Sequence, residues 1–224
     1  MKRSLIIAII FCLAATSAVW AQDYVVLPTI GIRGGADFAR YRDTGPTSGI
    51  SMKNQTNGTA GITGEWGLWH PDDWWSTLSI KTDALWIRTG GRFAMSNGTI
   101  QKDQVDELRF APSLLFRWTT HAPAPFIMAG PFIGYDINDK YTLTNAPAGV
   151  ATSGTLQDWQ KLNWGVSGGA GFQIPTPAGA VSIDGRYNLG LENKIKNNAQ
   201  SGLKRYTSGV MVTAGYDFRL PSSH

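Results

Sequence analysis

Seven segments of this chain alternate between apolar and polar residues with a period of two, and an eighth is apolar on both faces. In the stretch "GAVSIDGRYNLGLENK", Val181 and Ile183 share one face. Asp184 and Arg186 share the opposite face. A period of two predicts β-strands with two unlike faces. The predicted strands are 30–41, 59–69, 76–88, 107–119, 125–137, 162–174, 179–194 and 206–220.

The connections between these strands alternate between long and short. The long ones have about 13 to 24 residues and the short ones about four to six. Four long connections on one side and three short ones on the other, with both ends of the chain on the short side, are typical of an outer-membrane barrel. A soluble β-sandwich has similar strands, but nothing in its architecture sorts connections by length. The sequence therefore predicts an all-β, eight-stranded antiparallel up-and-down transmembrane β-barrel.

In such a barrel the apolar faces contact lipid and the polar faces line the lumen. We therefore expect Val181 and Ile183 to face lipid, and Asp184 and Arg186 to face the lumen. Aromatic residues gather near both ends of the strands, which predicts two interfacial girdles. The girdle beside the short turns is Trp66, Trp69, Trp74, Trp75, Trp118, Phe126, Phe172 and Phe218. The girdle beside the long loops is Phe38, Tyr41, Trp86, Phe110, Tyr141, Trp164, Tyr187 and Tyr206.

Two features complicate the assignment of the strands. The fifth segment, 125–137, is apolar on both faces, so its inward and outward sides are left open. Pro112 and Pro131 interrupt two strands, and proline within a strand is typical of an edge or a bulge. Because the alternation continues past Pro112, we expect bulges.

The N-terminus predicts export of the chain. Lys2 and Arg3 precede the apolar run "LIIAIIFCLAA", and "TSAVWAQ" supplies the small residues of a cleavage site after Ala21. This run is shorter than the roughly 20 apolar residues that a spanning helix needs. We expect residues 1–21 to be a signal peptide and residues 22–224 to be the barrel, located in the cell outer membrane with both termini in the periplasm. Cys12, the only cysteine, lies in the signal peptide.

Four segments resemble a known family. They are "IGIRGGADFAR", "ELRFAPSLLFRW", "IMAGPFIGYDI" and "DGRYNLGLENK", in this order along the chain. Together they are similar to the PorT-type outer-membrane β-barrel family, whose members are often described as porin-family proteins. The resemblance implies an eight-stranded barrel in the outer membrane of a Gram-negative bacterium. PorT itself is associated with a secretion and gliding apparatus. The last strand departs from the family, because "RLPSSH" follows Phe218 where the family usually ends on an aromatic residue.

The inward faces of the seven assignable strands carry six positive and six negative charges. They are Arg33, Lys81, Arg109, Arg117, Arg186 and Arg219, and Asp37, Glu65, Asp83, Glu107, Asp184 and Asp217. Because a buried charge is tolerable only when it is paired, this balance predicts a network of ion pairs. We expect Glu65 beside Arg33 and Lys81. The alternative is a water-filled lumen in which the charges are hydrated independently.

Two further expectations accompany this network. Asp83 is expected near Arg109, across the second long connection. Inward glycines are expected to give the arginine side chains room in a narrow barrel.

The sequence does not suggest an enzyme. The histidines of the mature chain, His70, His121 and His224, are placed in short turns or in the C-terminal tail. Barrels that modify lipid A use a histidine and a serine near the outer leaflet, on the opposite side. The three histidines also lack the spacing of a metal site, so we expect no catalytic residue, no metal and no cofactor.

Composition limits the partners. The net charge of +4 falls to +2 when Lys2 and Arg3 are removed. The chain contains no run of like charges, so nothing suggests a nucleic acid as a partner. The expected partners are outer-membrane lipid and lipopolysaccharide, the barrel assembly machinery, and a protein or polysaccharide at the extracellular loops.

Three functions stay open. The first is a structural or accessory barrel whose four loops contact a partner. The second is a transport or small-ligand-binding barrel. Its lumen would be narrow, because side chains just fill the interior of an eight-stranded barrel. The third is a component of a protein secretion apparatus, which the PorT resemblance implies.

Overall fold

The computed structural model contains only β-strands as regular elements in the residues that it describes. These residues are 28–44, 50–53, 55–69, 76–95, 98–118, 123–145, 147, 149–156, 159–196, 202 and 204–220. The strands are β1 (Thr29–Thr44), β2 (Ile50–Lys53), β3 (Gln55–Trp69), β4 (Ser76–Thr89), β5 (Arg92–Met95), β6 (Ile100–Trp118), β7 (Ala124–Thr144), β8 (Ser153–Thr155), β9 (Leu162–Thr176), β10 (Gly179–Gly190) and β11 (Lys204–Arg219). None of the described residues belongs to a helix long and apolar enough to cross a membrane.

Eight of these strands form a closed antiparallel ring. Its order is β1, β3, β4, β6, β7, β9, β10 and β11, and β11 pairs with β1 again. In the closing pair, Ile32 lies opposite Tyr216 and Ala36 opposite Val212. The predicted eight-stranded antiparallel barrel is confirmed.

The two faces of the strands are inverted relative to a soluble protein. Ile32 and Phe172 expose 60% and 56% of their surface outside the ring. Asp83 and Glu107, in contrast, expose 0% inside it. An apolar exterior around a polar interior is the arrangement that a lipid environment requires.

Strand β7 resolves the segment that the sequence left open. Phe126, Met128 and Phe132 are buried on the inward face. Ile127 and Tyr135 are about half exposed on the outward face. The inward face is apolar here because aromatic rings fill the lumen beside the charged groups of the other strands. Phe126 was therefore wrongly predicted as a girdle residue, and so was Tyr41, which is also buried.

The three short strands extend the barrel at one end. Strand β5 pairs with β6 and with β2, and β8 pairs with β7. Strands β6 and β7 have 19 and 21 residues, whereas crossing a membrane takes about 9 to 11. We call the end of the barrel where β2, β5 and β8 lie the long-loop end. The opposite end, where 177–178 and the other short connections lie, is the short-turn end.

The predicted bulges at Pro112 and Pro131 are wrong. The β6–β7 register is the same on both sides of them, since Phe110 pairs with Ile133 and Leu114 with Ala129. That register places the two prolines opposite each other. Neither proline has an N–H to donate, so the ladder is interrupted without a shift. The β6–β7 register shifts instead between Asp106 and Glu107.

Several sequence predictions lie outside the described residues. They concern the signal peptide, 1–21, the tryptophans Trp74 and Trp75, and the histidines His70, His121 and His224.

Candidate functional site

The middle of the lumen is occupied by the side chain of Arg33. Its guanidinium donates to Asp184 and to the hydroxyl of Ser182, the latter at 2.9 Å. Its Nε lies 3.4 Å from Asp83 and its Nη2 lies 3.8 Å from Asp217. These four partners belong to β4, β10 and β11, whereas Arg33 belongs to β1. One cation therefore ties four strands together across the interior.

Arg186 completes this middle layer from β10. Its Nε donates to Asp184 at 2.7 Å, and its Nη1 donates to Asp83 at 2.5 Å. Both carboxylates therefore lie between two guanidinium groups. Since all four side chains expose 2% or less, each charge is neutralised by another side chain rather than by bulk water.

Glycines next to the two arginines provide the space that these side chains occupy. A Cβ atom at Gly215 would lie 2.8 Å from Cγ of Arg33. A Cβ atom at Gly169 would lie 3.0 Å from Cγ of Arg186 and 2.3 Å from the carbonyl oxygen of Gly185. These distances are shorter than a real Cβ atom tolerates. Glycine is therefore required at the positions next to the two arginines.

A second layer lies toward the short-turn end. Nη2 of Arg117 donates to both carboxylate oxygens of Glu65, at 2.6 and 2.8 Å. Lys81 is almost fully buried, with its Nζ 3.7 Å from Asp217 and 5.8 Å from the ring centre of Phe126. The lysine is held by a carboxylate on one side and an aromatic face on the other.

A third layer lies toward the long-loop end. Nε of Arg109 donates to Glu107 at 2.6 Å, and the amide of Asn163 donates to the other oxygen of Glu107 at 2.8 Å. The guanidinium of Arg109 also lies 4.3 Å from the ring centre of Phe132. Beside it, Asp37 lines a cavity of about 10 Å³, the size of one water molecule at most.

Aromatic residues close the long-loop end of the lumen. Trp159 donates to Asp136 at 2.6 Å, and Lys194 donates to the same oxygen at 2.7 Å. Trp159 packs edge-on against Tyr41, which stacks on Phe93 with ring centres 5.6 Å apart. We call Tyr41, Phe93 and Trp159, with Val105, the aromatic cap.

A further ion pair supports the aromatic cap. Arg205 donates to both oxygens of Asp43 at 2.9 and 2.8 Å, and its guanidinium lies 4.4 Å from the ring centre of Phe93.

Nearby Asp103 belongs to the part of β6 beyond the membrane crossing. Burial raises the pKa of Asp103 to about 6, although the hydrogen bond from Gln101 and the charge of Arg205 both lower it.

One of the three expected neighbours is confirmed and two are wrong. Glu65 lies opposite Lys81 as expected, although its carboxylate binds Arg117, whereas Arg33 lies opposite Gly61 rather than beside Glu65. Asp83 binds Arg186 and Arg33, not Arg109. The reason is reach: long side chains in a narrow barrel cross the lumen, so register along adjacent strands does not select their partners.

One predicted lumen residue lies elsewhere. Arg219 is the last residue of β11, where it is exposed and has no ion-pair partner among the described residues. At that position the strand has already reached the end of the barrel, so alternation no longer points a side chain into the lumen. The other eleven predicted residues lie inside the ring.

Sequence reasoning missed the groups at the long-loop end. Asp136 belongs to the strand whose faces were left open, Lys194 is the last residue of the predicted strand 179–194, and Arg205 precedes the predicted strand 206–220, so none of the three was predicted as a lumen charge. The only local signal was the continued alternation of β7 past Tyr135, which places Asp136 inward. Within the described part of the chain, no three acidic, histidine or cysteine side chains are grouped to hold a metal ion.

The comparisons with known proteins agree with this architecture. The family model of the outer membrane protein beta-barrel domain matches residues 29–196. No curated protein matches the chain significantly.

Several solved structures are similar in fold. Ail, the attachment invasion locus protein of Yersinia pestis, is 17% identical, with a TM-score of 0.38 and coverage of 86% of this chain and 100% of Ail. OprG from Pseudomonas aeruginosa is 13% identical, with a TM-score of 0.47 and coverage of 87% and 97%. The outer membrane enzyme PagL is 14% identical, with a TM-score of 0.43 and coverage of 84% and 97%.

The family match is broad enough to decide membership. It spans seven of the eight ring strands, from β1 to β10, and covers well over half of the chain. The chain therefore belongs to the outer membrane protein beta-barrel domain family, whose location is the outer membrane.

Proposed function

We propose that this protein is a structural or accessory barrel of the outer membrane, without enzymatic activity, whose lumen is closed by its own side chains. Its N- and C-termini lie in the periplasm and its long-loop end faces outward, where it contacts a protein or polysaccharide partner. The short connections at one end and the strand extensions at the other support this orientation.

The observation that carries the proposal is the packing of the middle layer. Arg33 and Arg186 cross the lumen and bind Asp83 and Asp184 with nearly no exposed surface. A solute or hydrated ion passing this level would have to break several buried charge-assisted hydrogen bonds at once. The aromatic cap closes the same path at the long-loop end.

Conductance in planar bilayers tests closure. The wild-type protein should give no steady current. A wide porin, whose lumen is an aqueous channel, is reconstituted in the same way and should conduct, which shows that the assay detects an open lumen. Gel mobility before and after boiling checks that the protein is folded. A steady current from the wild-type protein would favour a narrow transport barrel instead.

Deletion of the gene tests the accessory role. The proposal expects a defect in envelope integrity or adhesion. The resemblance to PorT-type barrels makes secretion the second readout, and a selective loss of secreted proteins would assign the chain to a secretion apparatus.

A further inference from the structure

Unpaired cations lie on the outer surface of the barrel where β1 and β11 leave the apolar band. Arg40, Arg42 and Lys204 are exposed there. They share the outward face with Phe38 and Val210, which expose 41% and 45% of their surface just below them. We call Arg40, Arg42 and Lys204 the rim patch.

The register brings the rim patch together. Arg42 lies opposite Tyr206, and Lys204 lies opposite Thr44 on the adjacent strand. Residues two apart on a strand are about 7 Å apart, and neighbouring strands are about 4.8 Å apart. Arg40 and Arg42 are therefore about 7 Å apart, Lys204 is about 8 Å from Arg42, and the patch extends over about 15 Å from Arg40 to Lys204.

Nothing in the described residues neutralises the rim patch. Asp43, the nearest acidic residue on β1, faces inward and is bound by Arg205. The neighbouring segments 45–49, 197–201 and 203 contain no Asp or Glu in the sequence. The guanidinium of Arg42 lies 5.3 Å from the ring centre of Tyr206, which holds it against the barrel wall.

Another cation at the same end provides a contrast. Arg88 also faces outward, 5.2 Å from the ring centre of Trp86. It donates to Asp106 at 2.8 Å, so its charge is already compensated. The rim patch differs because its charges have no such partner.

We propose that the rim patch binds the phosphate groups of an anionic glycolipid in the outer leaflet. This inference rests on the proposed orientation of the barrel. Guanidinium groups match the geometry of phosphate oxygens, and the apolar band directly below accommodates the acyl chains of the same molecule. A soluble anion gains nothing from contact with the apolar band. A phosphate site directly above this band therefore favours a lipid over a soluble anion.

Native mass spectrometry of the purified barrel in nanodiscs tests this site. The probe is bis-phosphorylated lipid A, added to zwitterionic lipid. The wild-type protein should retain one lipid A molecule, and Arg40→Gln/Arg42→Gln/Lys204→Gln should weaken this binding about tenfold or more. The matched control, Arg92→Gln/Lys102→Gln/Lys140→Gln, removes three exposed cations at β5, β6 and β7 on the opposite wall, and should weaken it less than about twofold.

Three further measurements distinguish the alternatives. Dephosphorylated lipid A, phosphatidylglycerol and inorganic phosphate should each compete at least about tenfold less well than bis-phosphorylated lipid A. Equal losses in the two triple variants would overturn the site in favour of a uniform basic belt. Equal competition by inorganic phosphate or phosphatidylglycerol would overturn the glycolipid. These readouts are independent of conductance, so an open lumen would refute the proposed closure and leave this site standing.

Discussion

Asp184 and Glu65 show how much the depth of a charge matters at the scale of single residues. Asp184 accepts hydrogen bonds from Arg33 and Arg186 and is fully buried. Glu65 binds Arg117, whose side chain is 12% exposed at the short-turn end. Water can reach the second pair but not the first. The cost of removing the carboxylate should therefore differ between the two sites.

We expect Asp184→Asn to lower the free energy of unfolding by about 3–5 kcal/mol, because it leaves two buried guanidinium groups short of a counter-charge. Glu65→Gln should cost only about 1 kcal/mol, because Arg117 can turn to water. Urea unfolding of the protein in lipid vesicles measures both variants. Equal costs would show that water reaches the middle layer as freely as it reaches the end.

At the scale of the strands, alternation predicted the faces well and the pairing poorly. The face of a residue depends on its own strand, so a period of two places Arg33 or Asp83 correctly inside the ring. Partners depend on register across long connections and on reach across the lumen, and neither is local in sequence. Strand β7 shows the limit, since an apolar interior and an apolar exterior leave no alternation to read.

Strands β9 and β10 provide a matched pair of glycines. A Cβ atom at Gly169 would lie 2.3 Å from the carbonyl oxygen of Gly185 and press on Arg186, whereas one at Gly185 would meet no atom within 4 Å. Gly169→Ala should therefore destabilise the barrel by about 1–3 kcal/mol. Gly185→Ala should leave stability unchanged or slightly raised.

Thermal unfolding followed by gel mobility compares these two variants under the same conditions. If both alanines are tolerated, the space beside Arg186 is not what requires glycine at position 169.

At the scale of the whole molecule, three charged layers lie within the lumen and the aromatic cap lies at one end only, so the two ends of the barrel differ. The sequence predicted this polarity through its connection lengths, but not the cap. The cap combines Tyr41 from β1, Phe93 from β5 and Trp159 from the region between β8 and β9. Such a contact depends on how long connections fold back, and no spacing in the sequence encodes it.

Labelling of intact cells tests which end faces outward. Val150→Cys lies in a long connection and is 48% exposed, so a membrane-impermeant maleimide should label it. Ala178→Cys lies in a short turn and should be labelled only after the outer membrane is permeabilised. The reverse pattern would place the long-loop end in the periplasm.

The pairing of β1 with β11 joins Thr29 to Arg219, nearly the full length of the chain apart. Strand β1 is synthesised first, and its edge therefore stays uncovered until β11 has been synthesised. Every shorter nascent chain has two open edges and an apolar outer face, both of which favour aggregation. A chain of this design must be kept unfolded while it travels, and a stop codon before β11 should yield a product that is degraded rather than a smaller barrel.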